Sequence, residues 1–488
     1  VGFLAGHTEQ AVNTVAVGLQ AGQTSQGDHA IAVGYLAGNS EQKTHALAVG
    51  REAGQTSQGK YATAVGVQAG ETLQGCHATA VGTASGRTSQ ANYAVAIGYS
   101  AGLTEQKIHA TAIGVLAGET KQGCSSVAVG REAGQTSQGQ NSVAVGYVAG
   151  MTAQAANSVA IGVNAGRSNQ AAEATAMGNA AGYTGQAANG TAIGSVAGHS
   201  NQGAQATAVG REAAKHNQGG HATAVGYLAG STSQGTYAVA IGNTAGQTTQ
   251  ATESTAIGTA AGMTSQRFAS VAVGRIAGRF VQGSYSVAIG NAAGMTSQAA
   301  YCVAIGANAG HSNQELLGTA VGHDAGKTSQ GASCTAMGPY AAQIVQGAFA
   351  TAVGREAGQV SQGTRAVAVG YTAGDQAQGL EAVAVGYLTA QFSQGARATA
   401  VGYLAGQIGQ GTDAVAIGRG AATNSQGQYG IGIGFQAGCR NQGAFAVAIG
   451  VNAAMASQAT NAVALGTDAG QSAQGRYAVA LGAESGEN

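Results

Sequence analysis

The chain of 488 residues has no tryptophan, one proline and five cysteines, and only 8% of it is Asp, Glu, Lys or Arg. Each shortage excludes something. Twenty bases balance twenty acids, so the clustered positive charge that neutralises phosphates is missing, and with it a nucleic-acid partner. Apolar runs such as residues 366–369 end at Gly or Gln within a few positions, far short of the ~20 apolar residues of a membrane-spanning helix. Low charge and one proline are foreign to disordered chains. The 83 glycines do not fall at every third residue, which collagen would require.

What is present is a repeat. Glycine recurs at every sixteenth position, from Gly2 through Gly18, Gly34 and Gly50 to Gly466 and Gly482, without insertion or deletion. Residues 131–146, REAGQTSQGQNSVAVG, are a clean copy. A fixed period implies stacked units in place of several globular domains. Residues 1–488 are therefore expected to form a single continuous repeat domain. Beginning and ending inside a repeat, the chain reads as a piece of a longer protein whose caps and anchor lie elsewhere.

Numbered from 1 to 16 after each closing glycine, the repeat shows what each position tolerates. Position 16 is always Gly, position 8 always Gln, and position 14 Ala except at Gly432. Position 15 is Val, Ile, Leu or Met, position 3 is Ala except at Ser85, Thr389 and Ser485, and position 4 is Gly or Ala. Positions 1, 2, 5, 7, 10 and 11 take almost any residue. The alternation in Ala222, Thr223, Ala224 and Val225 has the period of two that marks a strand, which predicts strand over positions 11 to 15. Positions 5 to 8 fit a second short strand. Gly at 16, and mostly Gly or Ala at 4 and 9, suit tight corners. The expected fold is all-β: a parallel β-solenoid (β-roll) of about thirty coils, each one repeat long, which at ~4.8 Å per coil extends roughly 145 Å.

The invariant Gln reads as a structural ladder, because a buried amide must be hydrogen-bonded and stacked identical amides satisfy one another. Its members include Gln10, Gln26, Gln58, Gln138, Gln234, Gln330, Gln410 and Gln474, with Gly18, Gly34, Gly146, Gly242, Gly370 and Gly482 at the corners. Val or Ile at 13 and 15 are expected to fill the core. That would turn the alanines of 12 and 14 outward as an exposed apolar strip, with Ala64, Ala144, Ala224 and Ala368 as candidate oligomer contacts.

Sites for chemistry are sparse. Cys76 and Cys124 share one column, Cys302 and Cys334 another, and Cys439 stands alone. Same-column pairs two or three turns apart lie roughly 10 to 14 Å from each other, beyond the ~7 Å Cα limit of a disulfide. His29, His45, His77, His109 and His221 all fall at position 11, but with no regular carboxylate or third ligand beside them no metal is expected. No Ser-His-Asp grouping recurs, and the glycines belong to corners, not to a phosphate-binding loop. Neither an enzyme nor a cofactor is expected. Arg51, Arg131, Arg211 and Arg355 each precede a Glu, which duplication of a five-turn block explains for the first three.

The strings NSVAVG (141–146), NSVAIG (157–162) and YSVAIG (285–290) resemble the YadA-like, haemagglutinin-type head repeats of trimeric autotransporter adhesins, whose period is shorter, and similar repeats in phage and large-virus fibre proteins. The resemblance extends over essentially the whole chain. It implies a left-handed roll, association into a homotrimer, a place outside the cell on a cell or virion surface, and binding to a host-surface glycan or matrix protein. The leading expectation is thus a fibre shaft or adhesin-type filament. Two alternatives are an extracellular filament assembling end to end and an ice-binding solenoid that uses the Thr of position 6.

Overall fold

A computed structural model describes residues 1–486 and falls into two compact units, Val1–Thr248 and Thr249–Asn488. Both units are parallel β-solenoids with sixteen residues per turn, and no helix occurs among the described residues. A turn contributes two three-residue strands, such as Thr56–Gln58 and Thr63–Val65 in the first unit or Val360–Gln362 and Val367–Val369 in the second. Each strand pairs with its equivalent one turn on. Thr63, Ala64 and Val65 face Thr79, Ala80 and Val81, and Val367, Ala368 and Val369 face Val383, Ala384 and Val385.

The corners explain why these strands are so short. In nearly every turn five residues have positive φ: positions 2, 4, 7, 11 and 16. In one turn they are Glu132 (58°), Gly134 (52°), Ser137 (55°), Asn141 (52°) and Gly146 (131°). A residue in the left-handed region ends a run of extended backbone. Position 11 therefore lies in a turn, and the second strand covers 13 to 15 instead of the five residues expected. Inside that turn the position 12 N–H reaches back to the carbonyl of position 9, as from Ala62 to Gly59 at 3.3 Å.

Position 7 is more consequential. It sits in the middle of the first strand, and only its neighbours at 6 and 8 enter the register, as Thr136 with Thr152 and Gln138 with Gln154. In an ordinary strand, 6 and 8 would share a face. The left-handed residue between them twists the chain, so that Thr136 is half-buried and Gln138 fully buried.

The core is the reverse of the one the alternation suggests. Ala64, Ala144, Ala224 and Ala368 are completely buried, as are almost all alanines at positions 3, 12 and 14. Val and Ile at 13 and 15 face outward, with Ile97, Ile161 and Ile289 exposed by 39%, 36% and 39%. The expected apolar strip of alanines does not exist, and those four residues cannot form an oligomer contact. The physical reason is space. The two sheets of a turn close on each other through corners of four and six residues, and only small side chains and the extended Gln fit between them. The largest fully buried side chains are accordingly all glutamines.

Candidate functional site

The strict positions are all structural. Gly146 has a φ of 131°, a region that only glycine occupies readily. A Cβ there would lie 2.5 Å from the carbonyl oxygen of Gly162, the equivalent glycine one turn on. Gly18, Gly34 and Gly370 meet the same backbone obstacle, and Gly242 shares the φ (130°). Gly482, in the last described turn, has a φ of 102° and open space around it. Wherever another turn follows, the stacking of backbone on backbone thus excludes a side chain from position 16.

The Gln column is a hydrogen-bonded ladder. The Nε2 of Gln58 donates to Oε1 of Gln74 at 3.1 Å and to the backbone oxygen of Leu47 at 2.8 Å. Gln138, Gln330 and Gln410 repeat the pattern toward Gln154, Gln346 and Gln426 at 3.2, 3.1 and 3.1 Å. Gln474 accepts from Gln458 at 3.0 Å. The ladder is interrupted at Gln202, whose buried Oε1 has no donor because Gln186 Nε2 turns to the carbonyls of Thr175 and Gly190, and its start differs as well. Gln10 is exposed and its amide turns to the carbonyl of Gly22, which leaves the buried Oε1 of Gln26 without a donor.

The thiols of Cys302 and Cys334 are free, buried, and donate to the carbonyls of Glu315 (2.8 Å) and Gly347 (2.7 Å). Burial pushes both thiols above their ordinary pKa. They take the role that a serine hydroxyl has at the same position in Ser286, whose Oγ donates to the carbonyl of Ala299 in the next turn at 2.6 Å.

The variable positions build ladders of another kind. On column 11 of the first unit, His29, His45, Tyr61, His77, Tyr93 and His109 stack in one continuous series, with ring centroids 4.8 to 5.1 Å apart and planes within 16° of parallel. His221 on Tyr237 and Tyr285 on Tyr301 are shorter examples. Every inner ring has both faces covered by its neighbours, so the series shows solvent only its edges. Sugars that stack on aromatic faces find none free there. Two parallel imidazoles one turn apart also cannot converge on a single ion without leaving the stack, and no group of three or more His, Cys, Asp or Glu that could hold a metal occurs among the described residues.

Position 1 carries the residues that sequence reasoning missed. In the second unit Tyr371, Tyr387 and Tyr403 stack at 5.0 and 5.3 Å. The guanidinium of Arg355 covers one end, and that of Arg419 the other. Arg131 over Tyr147 and Arg211 over Tyr227 follow the same rule at 5.5 and 5.6 Å. The signal was a Tyr sixteen residues after an Arg. Arg131 and Arg355 also pair with the Glu that follows them, at 3.0 and 3.1 Å, exposed contacts worth about 0 to 1 kcal/mol each.

No protein-family model matches the chain, and no curated protein does. Function therefore has to be argued from the columns themselves. Two surfaces qualify: the outward Val, Ile and Thr of the second strand, and the aromatic and cationic column of position 1.

Proposed function

We propose that the chain is the shaft of an extracellular fibre or adhesin-type surface filament. In this reading it self-associates, as a trimer if the family resemblance holds, and presents weak, repeated contacts to a host-surface glycan or matrix protein. The observation that carries it is the outward face of positions 13 and 15. Val143 with Val145 and Val159 with Ile161 form two unbroken columns of half-exposed side chains, in register from turn to turn. Within one unit of about fifteen turns such a strip is roughly 70 Å long and 10 Å wide. That is on the order of 700 Å² per copy, close to the ~800 Å² each partner buries in a standard interface. A second copy has the same spacing per turn and can match it column for column.

Stiffness supports the same reading. In the turns of both units, backbone N–H groups donate along the stack, from Gly54, Thr56, Gly59 and Thr63 to the next turn and from Tyr61, Gly66 and Gln68 to the previous one. Contacts too weak to matter singly add by avidity along such a scaffold. The geometry of position 6 weighs against ice binding, since the hydroxyl of Thr136 is already committed to the carbonyl of Met151 at 3.2 Å.

Light scattering with negative-stain imaging tests the proposal. A discrete oligomer is expected, and Ile161→Lys combined with Ile193→Lys should dissociate it with the circular dichroism unchanged. A wild-type monomer would overturn it, and unlimited growth would favour the end-to-end filament.

A further inference from the structure

We infer that the second unit holds an anion-binding cleft for one acidic sugar unit, a carboxylate or sulfate ester on a saccharide, at the corner built by positions 1, 2, 5 and 6 of three successive turns. The cleft has a volume of about 260 Å³ and is lined by Tyr403, Arg419, Asn424, Phe435, Gln436 and Arg440, among others. No Asp or Glu lines it. Neither arginine makes an ion pair among the described residues.

Three features make this more than two surface arginines. The first is orientation. Arg419 lies between two rings, 5.7 Å from the centroid of Tyr403 and 5.6 Å from that of Phe435. Stacking engages the faces of a guanidinium and leaves its N–H groups free in the plane, the geometry that grips a carboxylate or sulfate with two parallel hydrogen bonds. The second is a departure from the repeat: Arg440 occupies position 6, which is Thr or Ser in most turns. It supplies a second positive charge on the same cleft. The third is the space itself. Gly420 is the single glycine at position 2 in the whole chain, where the turns before it carry Leu388 and Leu404 and the next carries Gln436. The backbone does not demand it. Its φ of 68° lies in the same left-handed region as Leu404 (58°) and Gln436 (54°), residues with full side chains. A Cβ there would meet Gln436 Cγ at 3.4 Å and Thr423 Oγ1 at 3.6 Å, ordinary contacts. What the glycine changes is the volume that a side chain would otherwise fill.

The neutral lining completes the ligand class. Asn424 and Gln436 offer amide groups suited to sugar hydroxyls, and the Thr423 hydroxyl, which donates to the Gly420 carbonyl at 2.7 Å, keeps only acceptor capacity. The cleft is smaller than the ~300 to 1,000 Å³ of sites that enclose drug-sized ligands. One charged saccharide unit fits that description. The site uses none of the residues at positions 13 and 15, so it stands or falls independently of self-association.

Titration of the full chain with glucuronate, glucose 6-sulfate, inorganic sulfate and glucose, followed by calorimetry, tests it. Saturable binding of glucuronate or glucose 6-sulfate at one site per chain is expected, stronger than that of inorganic sulfate and absent for glucose. The two sugar probes separate carboxylate from sulfate recognition. Arg419→Gln and Arg440→Gln should each weaken binding about tenfold or more, as loss of a charged hydrogen bond does. Gly420→Leu should abolish it while leaving the melting temperature unchanged or raised, because position 2 accepts leucine elsewhere in the same unit. No saturable binding of either sugar anion, equal affinity for inorganic sulfate and the sugars, or binding that survives Gly420→Leu would each overturn the assignment.

Discussion

Position 6 reads Thr or Ser in fifteen of the sixteen turns from Thr8 to Thr248, broken at His216, whereas the second unit has Phe280, Ile344, Val360, Gln376, Phe392, Ile408, Asn424 and Arg440 in the same column. Beneath that column the two units are alike. Each has the same Gln ladder and the same buried alanines. Their outer columns differ in extent elsewhere. The six-ring stack of position 11 lies in the first unit, where the second has the pairs Tyr285–Tyr301 and Tyr429–Phe445. The three-Tyr stack of position 1 lies in the second, where the first has the single Arg–Tyr pairs of Tyr147 and Tyr227. The difference teaches what a turn requires. Interior residues answer to both sheets and to the turns on either side, while an outward residue answers only to its own column.

Position 6 shows how this works in detail. Thr136 sends both its N–H (2.8 Å) and its hydroxyl (3.2 Å) to the carbonyl of Met151. Ile344 keeps the N–H bond to Gln359 at 2.8 Å and lacks only the hydroxyl. The backbone bond holds the turn, so the side chain is free to change.

The comparison breaks most decisively if a corner glycine matters in one unit and not the other. Gly146→Ala and Gly370→Ala should each cost on the order of 3 to 5 kcal/mol, combining left-handed strain with a backbone clash. Denaturant melts of the two variants should show equal losses. Gln138→Ala and Gln410→Ala come next, at roughly 2 to 4 kcal/mol, because each leaves a cavity and strands two neighbouring amides. Hydrogen exchange should find the damage confined to turns near the substitution, as a repeat with nearest-neighbour coupling requires.

Surface columns should give smaller and more local effects. Tyr61→Ala in the first unit and Tyr387→Ala in the second each remove two stacked contacts, about 1 to 2 kcal/mol, and tyrosine fluorescence should report the change. Thr136→Ile should cost less than about 1 kcal/mol, since the second unit already carries Ile at this position. A larger loss in the thermal melt would mean that the hydroxyl column of the first unit has a structural role absent from the second.

The weakest effect is a pH dependence present in both units. Burial, and then the charges of His216 and Lys215, hold His199 below the ordinary imidazole pKa, and burial followed by Lys327, opposed by Asp324, does the same for His311. The folded protein therefore takes up these protons later than the unfolded chain. Their contribution to stability is complete well above the unfolded histidine pKa of about 6.5. It is lost as pH falls from there through the folded value. His199→Gln and His311→Gln should each flatten the melting-temperature profile slightly below that pH.

Much of this architecture is legible in one dimension. A strict period of sixteen, strand-like alternation and glycine at the corners determine a parallel all-β solenoid, and an unvarying Gln among variable neighbours determines an amide ladder. Alternation is symmetric, however. It states that the methyls of Ala222 and Ala224 lie opposite Thr223 and Val225, not which side is inside. That choice belongs to the distance between the two sheets, set by corners with left-handed residues such as Glu132 and Asn141. Glycine is rare at those positions, since residues with full side chains hold the left-handed φ there in almost every turn. Tertiary structure alone also decided that the rings of position 11 face one another and not the solvent, that Arg419 lies between Tyr403 and Phe435, and that a missing side chain at Gly420 becomes a cleft. Each of these depends on residues sixteen apart in sequence becoming neighbours in space, with orientations that only the folded backbone supplies.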